Sequence, residues 1–274
     1  MDEWREEVLD GGLKVFCSPD HRFGTDAFLL ADFAAPRPGE TVCDLGTGCG
    51  IIPFLWLRPP FPKTEAGAGM LRGPKRIYGV EIQEQGVRQF VRGVEANGVG
   101  ETVVPVWADL THREALRAFV NPGALDMVCC NPPYKPARTG LLSREESHRI
   151  ARHETFCTLE EVCGTAAWLL KFGGRFCLCL RPERLAEAFA ACTDAGLAPK
   201  RMRFVAQRPG REPWLFLLEG KKGAKPGLRV LPELLVEQAL PEGGTAFSPE
   251  MLRIYHKENP LPRKEGKRDG QECK

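Results

Sequence analysis

No apolar run in this sequence approaches the roughly 20 residues that a membrane-spanning helix needs. The acidic opening MDEWREEVLDGG has no apolar core, so neither a secretory signal nor a transit peptide is expected there. No CxxC pair occurs among the 11 cysteines, which removes the spacing of zinc ribbons and thioredoxin-like redox sites. Several cysteines (Cys43, Cys129, Cys130, Cys177 and Cys179) sit instead inside apolar runs, as small hydrophobes in a reducing compartment would. No internal repeat is visible. The expectation is a cytoplasmic protein without a membrane segment, a metal or a disulfide.

Excess charge of one sign is also lacking over the whole chain. Its 274 residues carry 38 basic and 36 acidic side chains, and 43% of them are hydrophobic, which is the composition of an ordinary globular protein. The balance conceals an asymmetry. Residues 1–130 hold 13 basic and 18 acidic side chains, and residues 131–274 hold 25 and 18. Within 196–231, nine basic residues, Arg201 and Arg203 among them, face only Glu212 and Glu219. Such a bias suits a polyanion, because each phosphate contact releases condensed counterions; a solvated Lys/Arg-rich surface is the plain alternative.

From residue 41 onward the pattern alternates. Short apolar runs at 41–45, 77–81, 102–107, 125–130 and 174–180 read as strands. Longer stretches at 50–57, 83–97, 111–120, 158–171 and 183–195 read as helices, and Thr158 with Glu161 forms a capping box at the start of one of them. Strand runs that are apolar on both faces and alternate with helices indicate a parallel sheet covered on both sides. Segments 201–207 and 213–219 leave no room for a helix between them, so an antiparallel hairpin should close the sheet. A short strand (13–17) and a helix (26–35) come earlier. Residues 1–256 read as one domain with a 1–40 extension and a Pro/Gly-rich inserted loop at 58–76; a basic, disordered tail is expected over 257–274.

Two places carry chemistry. The first strand ends in Asp44-Leu45-Gly46-Thr47-Gly48-Cys49-Gly50 and a helix follows. Alternating glycines let the backbone bend sharply and let a ligand approach without obstruction by a Cβ. A carboxylate at Asp44 would repel a pyrophosphate but suits an ammonium or sulfonium group. Glu81, at the end of the second strand, is placed to accept hydrogen bonds from both hydroxyls of a ribose. Together they favour S-adenosylmethionine over a dinucleotide. Thirty residues separate Gly50 from Glu81 where about 20 is usual, and the 58–76 loop supplies the excess.

The second place is Asn131-Pro132-Pro133-Tyr134, at the end of the fourth strand. A double proline cannot continue a ladder, so the chain leaves the sheet at the carboxyl edge, where open α/β sheets bind ligands. The Asn131 amide oxygen and the Pro132 carbonyl form two acceptors for a planar NH2 group, and Tyr134 can stack on the ring that bears it. Positioning and electrostatics would then carry a methyl transfer to nitrogen with no strong general base. Among weaker candidates, Arg149 and Arg152 share a helical face and could meet phosphate, whereas His148 and His153 have the wrong spacing for a metal pair. Trp168 reads as core, and Arg181 and Arg184 either point at substrate or cap the next helix.

VCDLGTGCGI, VEIQ, WADL and CCNPPY, in this order, resemble the class I S-adenosylmethionine-dependent methyltransferases that modify amino nitrogens. More narrowly, segments 22–34, 150–163, 173–184 and 199–211, with EGKKGAKPGLRVLPELLV, are similar to the tRNA1(Val) adenine-37 N6-methyltransferase family. That resemblance implies a Rossmann-like α/β fold with a seven-stranded, mostly parallel sheet and an antiparallel C-terminal hairpin. It also implies a target at N6 of an adenine beside a tRNA anticodon. Under it, Asp44, Gly46, Gly48 and Gly50 line the cofactor site, Glu81 binds the ribose and Asp109 approaches the adenine amino group. Asn131 to Tyr134 hold the flipped base, and Thr25, in a segment near the cofactor pocket, is a weaker contact. The 58–76 insertion and a short polar stretch at 139–147 depart from the family pattern. NPPY also occurs in enzymes that methylate protein glutamine, but those carry a longer N-terminal helical domain. An rRNA or DNA adenine methyltransferase and a non-catalytic RNA-binding protein are the other readings.

Overall fold

The computed structural model describes residues 4–18, 23–59, 73–132, 157–241 and 243–258. Five strands run parallel in its central sheet: β3 (Thr41–Leu45), β4 (Arg76–Glu81), β5 (Val103–Trp107), β6 (Leu125–Cys130) and β7 (Leu170–Leu180). They are ordered β5-β4-β3-β6-β7, so the chain reverses direction across the sheet between β3 and β6. This is the point at which an open α/β sheet leaves a crevice beyond its strand ends. After β7 come β8 (Leu197–Ala206) and β9 (Pro213–Lys222). β9 turns back and inserts between β7 and β8, antiparallel to both. The expected seven strands and the C-terminal hairpin are therefore present. Two-residue strands β10 (Arg229–Val230) and β11 (Leu234–Leu235) pair parallel with β8 and bring the sheet to nine.

Alternation along the strands explains why they are apolar throughout. Val42, Ile77, Met127, Cys129, Cys177 and Leu217 pack in one core, while Cys43, Val80, Val128, Cys130, Phe176 and Leu218 pack in another on the opposite face. The central strands so contribute to cores on both sides, and buried thiols serve there as small hydrophobes. Ten cysteines are described, all free, and nine are buried. No helix among the described residues is long and apolar enough to cross a membrane, and no metal-ligating cluster of His, Cys, Asp or Glu occurs among them.

Helices α1 (Thr25–Ala34), α2 (Ile51–Leu55), α3 (Glu84–Asn97), α4 (Arg113–Arg117), α5 (Leu159–Leu169) and α6 (Leu185–Asp194) fall within one to three residues of the expected segments. The capping box forms as read: Glu161 N donates to Thr158 Oγ1 at 3.2 Å and Thr158 N donates to Glu161 Oε2 at 2.6 Å. Trp168, on α5, is partly buried against the core. Besides β10 and β11, two further regions were not foreseen. β1 (Arg5–Val8) pairs with β2 (Lys14–Cys17) although its sequence REEV has no apolar alternation. Near the other end, β12 (Glu237–Ala239), β13 (Thr245–Phe247) and α7 (Pro249–Tyr255) form a small unit in which Ser248 caps α7 and Pro249 starts it.

Candidate active site

The turn after β3 is held to the end of β4. Val80 O accepts from Gly46 N at 2.8 Å and from Thr47 N at 3.0 Å. The Glu81 carboxylate accepts from Gly48 N at 2.9 Å on one oxygen and from Ile82 N and Gln83 N at 2.9 and 2.8 Å on the other. Glu81 is buried to 6% exposure and thus ties the glycine turn to the second strand. Gly46 and Gly48 have φ of +72° and +56°, and a Cβ added to either would meet nothing within 4 Å. Their backbone is bare toward open space, which is the shape of a cradle for a ligand.

Gly50 has a different role. With φ at +83°, a Cβ there would lie 2.0 Å from Cδ2 of the fully buried Phe90 ring, which itself packs edge-on against Phe54. Gly50→Ala should therefore cost about 2–4 kcal/mol, the sum of left-handed strain and overpacking. Urea unfolding measures this directly, and a loss below about 1 kcal/mol would mean that Phe90 moves aside freely.

A cleft of about 190 Å³ opens beside this turn. Asp44, Gly46, Thr47 and Gly48 line it from the strand end, Phe23, Asp26 and Ala27 from the start of α1, and Asn131 from the rim of β6. Of the residues read from the sequence, Asp44, Gly46, Gly48 and Asn131 thus share one cavity. Glu81 abuts it through Gly48. Asp109 follows β5, half-buried, where its Oδ1 accepts from Thr111 N and Thr111 Oγ1, both at 2.8 Å, and its Oδ2 faces His112 Nδ1 at 3.1 Å. Thr25 does not line the cleft: its hydroxyl shares a hydrogen bond with the Tyr255 hydroxyl at 2.7 Å. Pro132 is buried. Pro133 and Tyr134, like Arg149, Arg152, His148, His153, residues 60–72 of the 58–76 loop and residues 259–274 of the tail, lie outside the described residues.

Register fixes how the cleft is floored. Asp44 on β3 stands opposite Cys129 on β6, and Cys130 stands opposite Leu178, so Asn131 emerges level with Cys179. Cys129 Sγ donates to Asp44 Oδ1 at 3.1 Å. Burial pushes the Cys129 thiol well up, which keeps it protonated as a donor. Burial also pushes Asp44 up to about 7, with Glu81 adding to the rise and the Thr47 hydroxyl and Cys129 thiol opposing it. No cation is among the groups that perturb Asp44, and no ion pair reaches it among the described residues. A 2%-exposed carboxylate without a cation, beside a bare glycine backbone, fits a ligand that brings a positive charge of its own.

No protein-family model matches the chain. A protein of Phocaeicola vulgatus named tRNA1(Val) (adenine(37)-N6)-methyltransferase is 27% identical over 200 residues, covering 73% of this chain and 76% of its own. A protein of the same name from Yersinia pestis (strain Pestoides F) is 26% identical over 261 residues, 91% of this chain and 94% of its own. Among solved structures, a predicted O-methyltransferase from Agrobacterium tumefaciens superposes with a TM-score of 0.64 at 20% identity, covering 85% of this chain and 96% of that one. A putative transferase from Pyrococcus horikoshii gives 0.50 at 14% identity, over 81% and 72%. The fold is that of the class I methyltransferases. The chain is a homologue of proteins that carry the tRNA adenine N6-methyltransferase name, as the motifs implied.

Two arginines of the basic segment after β7 are engaged within the fold. Arg201, a candidate phosphate contact, lies over the Phe33 ring with its carbon 4.2 Å from the centroid, and donates to Phe33 O at 2.7 Å and Glu219 Oε2 at 2.8 Å. Arg203 makes a two-pronged pair with Glu250 at 2.6 and 2.7 Å and also donates to Pro232 O. Both guanidiniums are committed to joining α1 and α7 to the sheet, so charge reversal there disrupts packing before it reaches RNA. Lys221, Lys225 and Arg229 remain exposed. Arg184 resolves as a helix-start pair, with Nε donating to Glu187 at 2.8 Å.

Proposed function

We propose that this chain transfers a methyl group from S-adenosylmethionine to the exocyclic N6 of an adenine in tRNA, beside the anticodon. The observation that carries the reading is the half-buried Asn131 amide, set at the strand rim in the same cleft as Asp44 and the bare glycine turn. The homologues' shared name supports the adenine and the tRNA.

In this reading Asp44 faces the cationic end of the cofactor, Gly46 and Gly48 lie along it, Glu81 takes the ribose and Asp109 the adenine. When bound, S-adenosylmethionine supplies an electrophilic methyl on a sulfonium. The residues of the chain do the rest by placement. The Asn131 oxygen and the Pro132 carbonyl accept the two hydrogens of the target amine and turn its lone pair toward the cleft. They also stabilise the positive charge that grows on nitrogen, and Tyr134 stacks on the base. Cleft walls from α1 and α2, Ala27, Ile51 and Ile52 among them, keep bulk water from competing as the acceptor.

Nucleoside mass spectrometry of tRNA incubated with enzyme and S-adenosylmethionine tests this. N6-methyladenosine should rise above the untreated control and map to the anticodon loop. Methyl label found in protein acceptors but not in tRNA would overturn the assignment.

A further inference from the structure

The Asn131 side chain is held at both ends by residues that the NPPY motif does not include. Its Nδ2 donates to Asp26 Oδ2 at 2.8 Å, and its Oδ1 accepts from Cys179 Sγ at 3.1 Å. Asp26 comes from the first turn of α1, 105 residues away in the chain, and Cys179 comes from the neighbouring strand β7. An ionised carboxylate only accepts, so it selects the NH2 end of the amide. Flipping Asn131 would set its oxygen against a negative charge and take the acceptor away from the target amine. Asp26 in turn has its place made for it: a Cβ on Gly24 would stand 2.7 Å from Asp26 Oδ1. A carboxylate drawing on the amide N–H also shifts electron density toward Oδ1, the atom that must accept more strongly as the amine becomes positive.

We infer that Asp26 is a positioning residue for methyl transfer, orienting and polarising the Asn131 amide, with Cys179 as the opposing stop. This rests on the methyltransferase reading and adds to it a residue that acts through Asn131 and not on the cofactor.

The test combines single-turnover methylation of tRNA, calorimetric binding of S-adenosylmethionine, and side-chain amide NMR on the full chain. Asp26→Ala should slow transfer ~30-fold, with cofactor Kd and KM for tRNA each within ~3-fold of wild type. Asp26→Asn, which keeps an acceptor oxygen, should recover part of the rate. In an Asn131→Ala background, adding Asp26→Ala should change the rate less than ~2-fold, because the amide it serves is gone. A full multiplicative loss in that background, or a cofactor Kd weakened more than ~10-fold, would overturn the inference. NMR reads the clamp without turnover: the Nδ2 proton pair identified by its loss in Asn131→Ala should shift and exchange faster in Asp26→Ala. An unchanged pair refutes the clamp. Failure of the wild type to methylate tRNA while the NMR shift appears would instead fault the functional reading.

Discussion

Asn131→Ala should lower methyl transfer to tRNA at least ~100-fold while leaving the affinity for S-adenosylmethionine within ~3-fold. The two halves of that expectation have separate causes. Removing the amide takes away an acceptor that is fixed in advance and aimed where charge develops, and such a group costs two to three orders of magnitude when lost from a water-poor site. In the proposed reading, affinity for the cofactor is set elsewhere, at Asp44, the glycine turn and Glu81, for which no hydrogen bond to Asn131 is seen among the described residues. The truncation also removes the hydrogen bonds that the Asp26 carboxylate and the Cys179 thiol make to Asn131. Pre-steady-state rates alongside calorimetric binding separate the contributions. A matching loss of cofactor affinity would place Asn131 on the cofactor and leave the amine clamp without its principal member.

The sheet was legible because its signals are local. Both-face apolar runs, turn glycines and a capping box each sit within a few residues of one another. The segments that escaped notice are short, and pairing with a partner strand, not a pattern of their own, makes them strands. β1 is a strand because β2 accepts it, and β10 to β13 have two or three residues each. The same distinction divides the site. Asp44, Gly46, Gly48 and Asn131 mark themselves by motif, yet the clamp on Asn131 joins residues 26, 131 and 179, and no spacing rule connects them. Counting charge over 196–231 found a basic stretch but could not show that Glu219 and Glu250 consume Arg201 and Arg203. Alternation gave the reason for thiols in strands; only register shows that Cys129 and Cys179 lie beside Asp44 and Asn131.

Cofactor affinity should depend on pH through Asp44, weakening about tenfold for each unit below about 7 and levelling off above it. The buried carboxyl holds its proton up to about 7 in the free protein, and only the ionised form attracts a cationic ligand. Binding at pH 6 must then release a proton, so the calorimetric enthalpy should vary with the ionisation enthalpy of the buffer. Folding stability runs the other way. An acid that ionises less readily in the fold than in the unfolded chain binds its proton more tightly when folded. Its contribution is therefore complete below the unfolded value near 3.8 and is lost as pH rises through about 7, a swing on the order of 4 kcal/mol. The free protein thus becomes less stable over the same interval in which it becomes able to hold its ligand, and ligand binding offsets that loss. Asp44→Asn removes the titration but keeps the shape and the acceptor for Cys129. It should flatten both profiles, weaken the cofactor by at least ~30-fold at pH 8, and stabilise the free protein there. A wild-type Kd that stays constant between pH 5 and 8 would show that the cation is met by some other group, and Asp44 would then be a buried acid that only supports the turn.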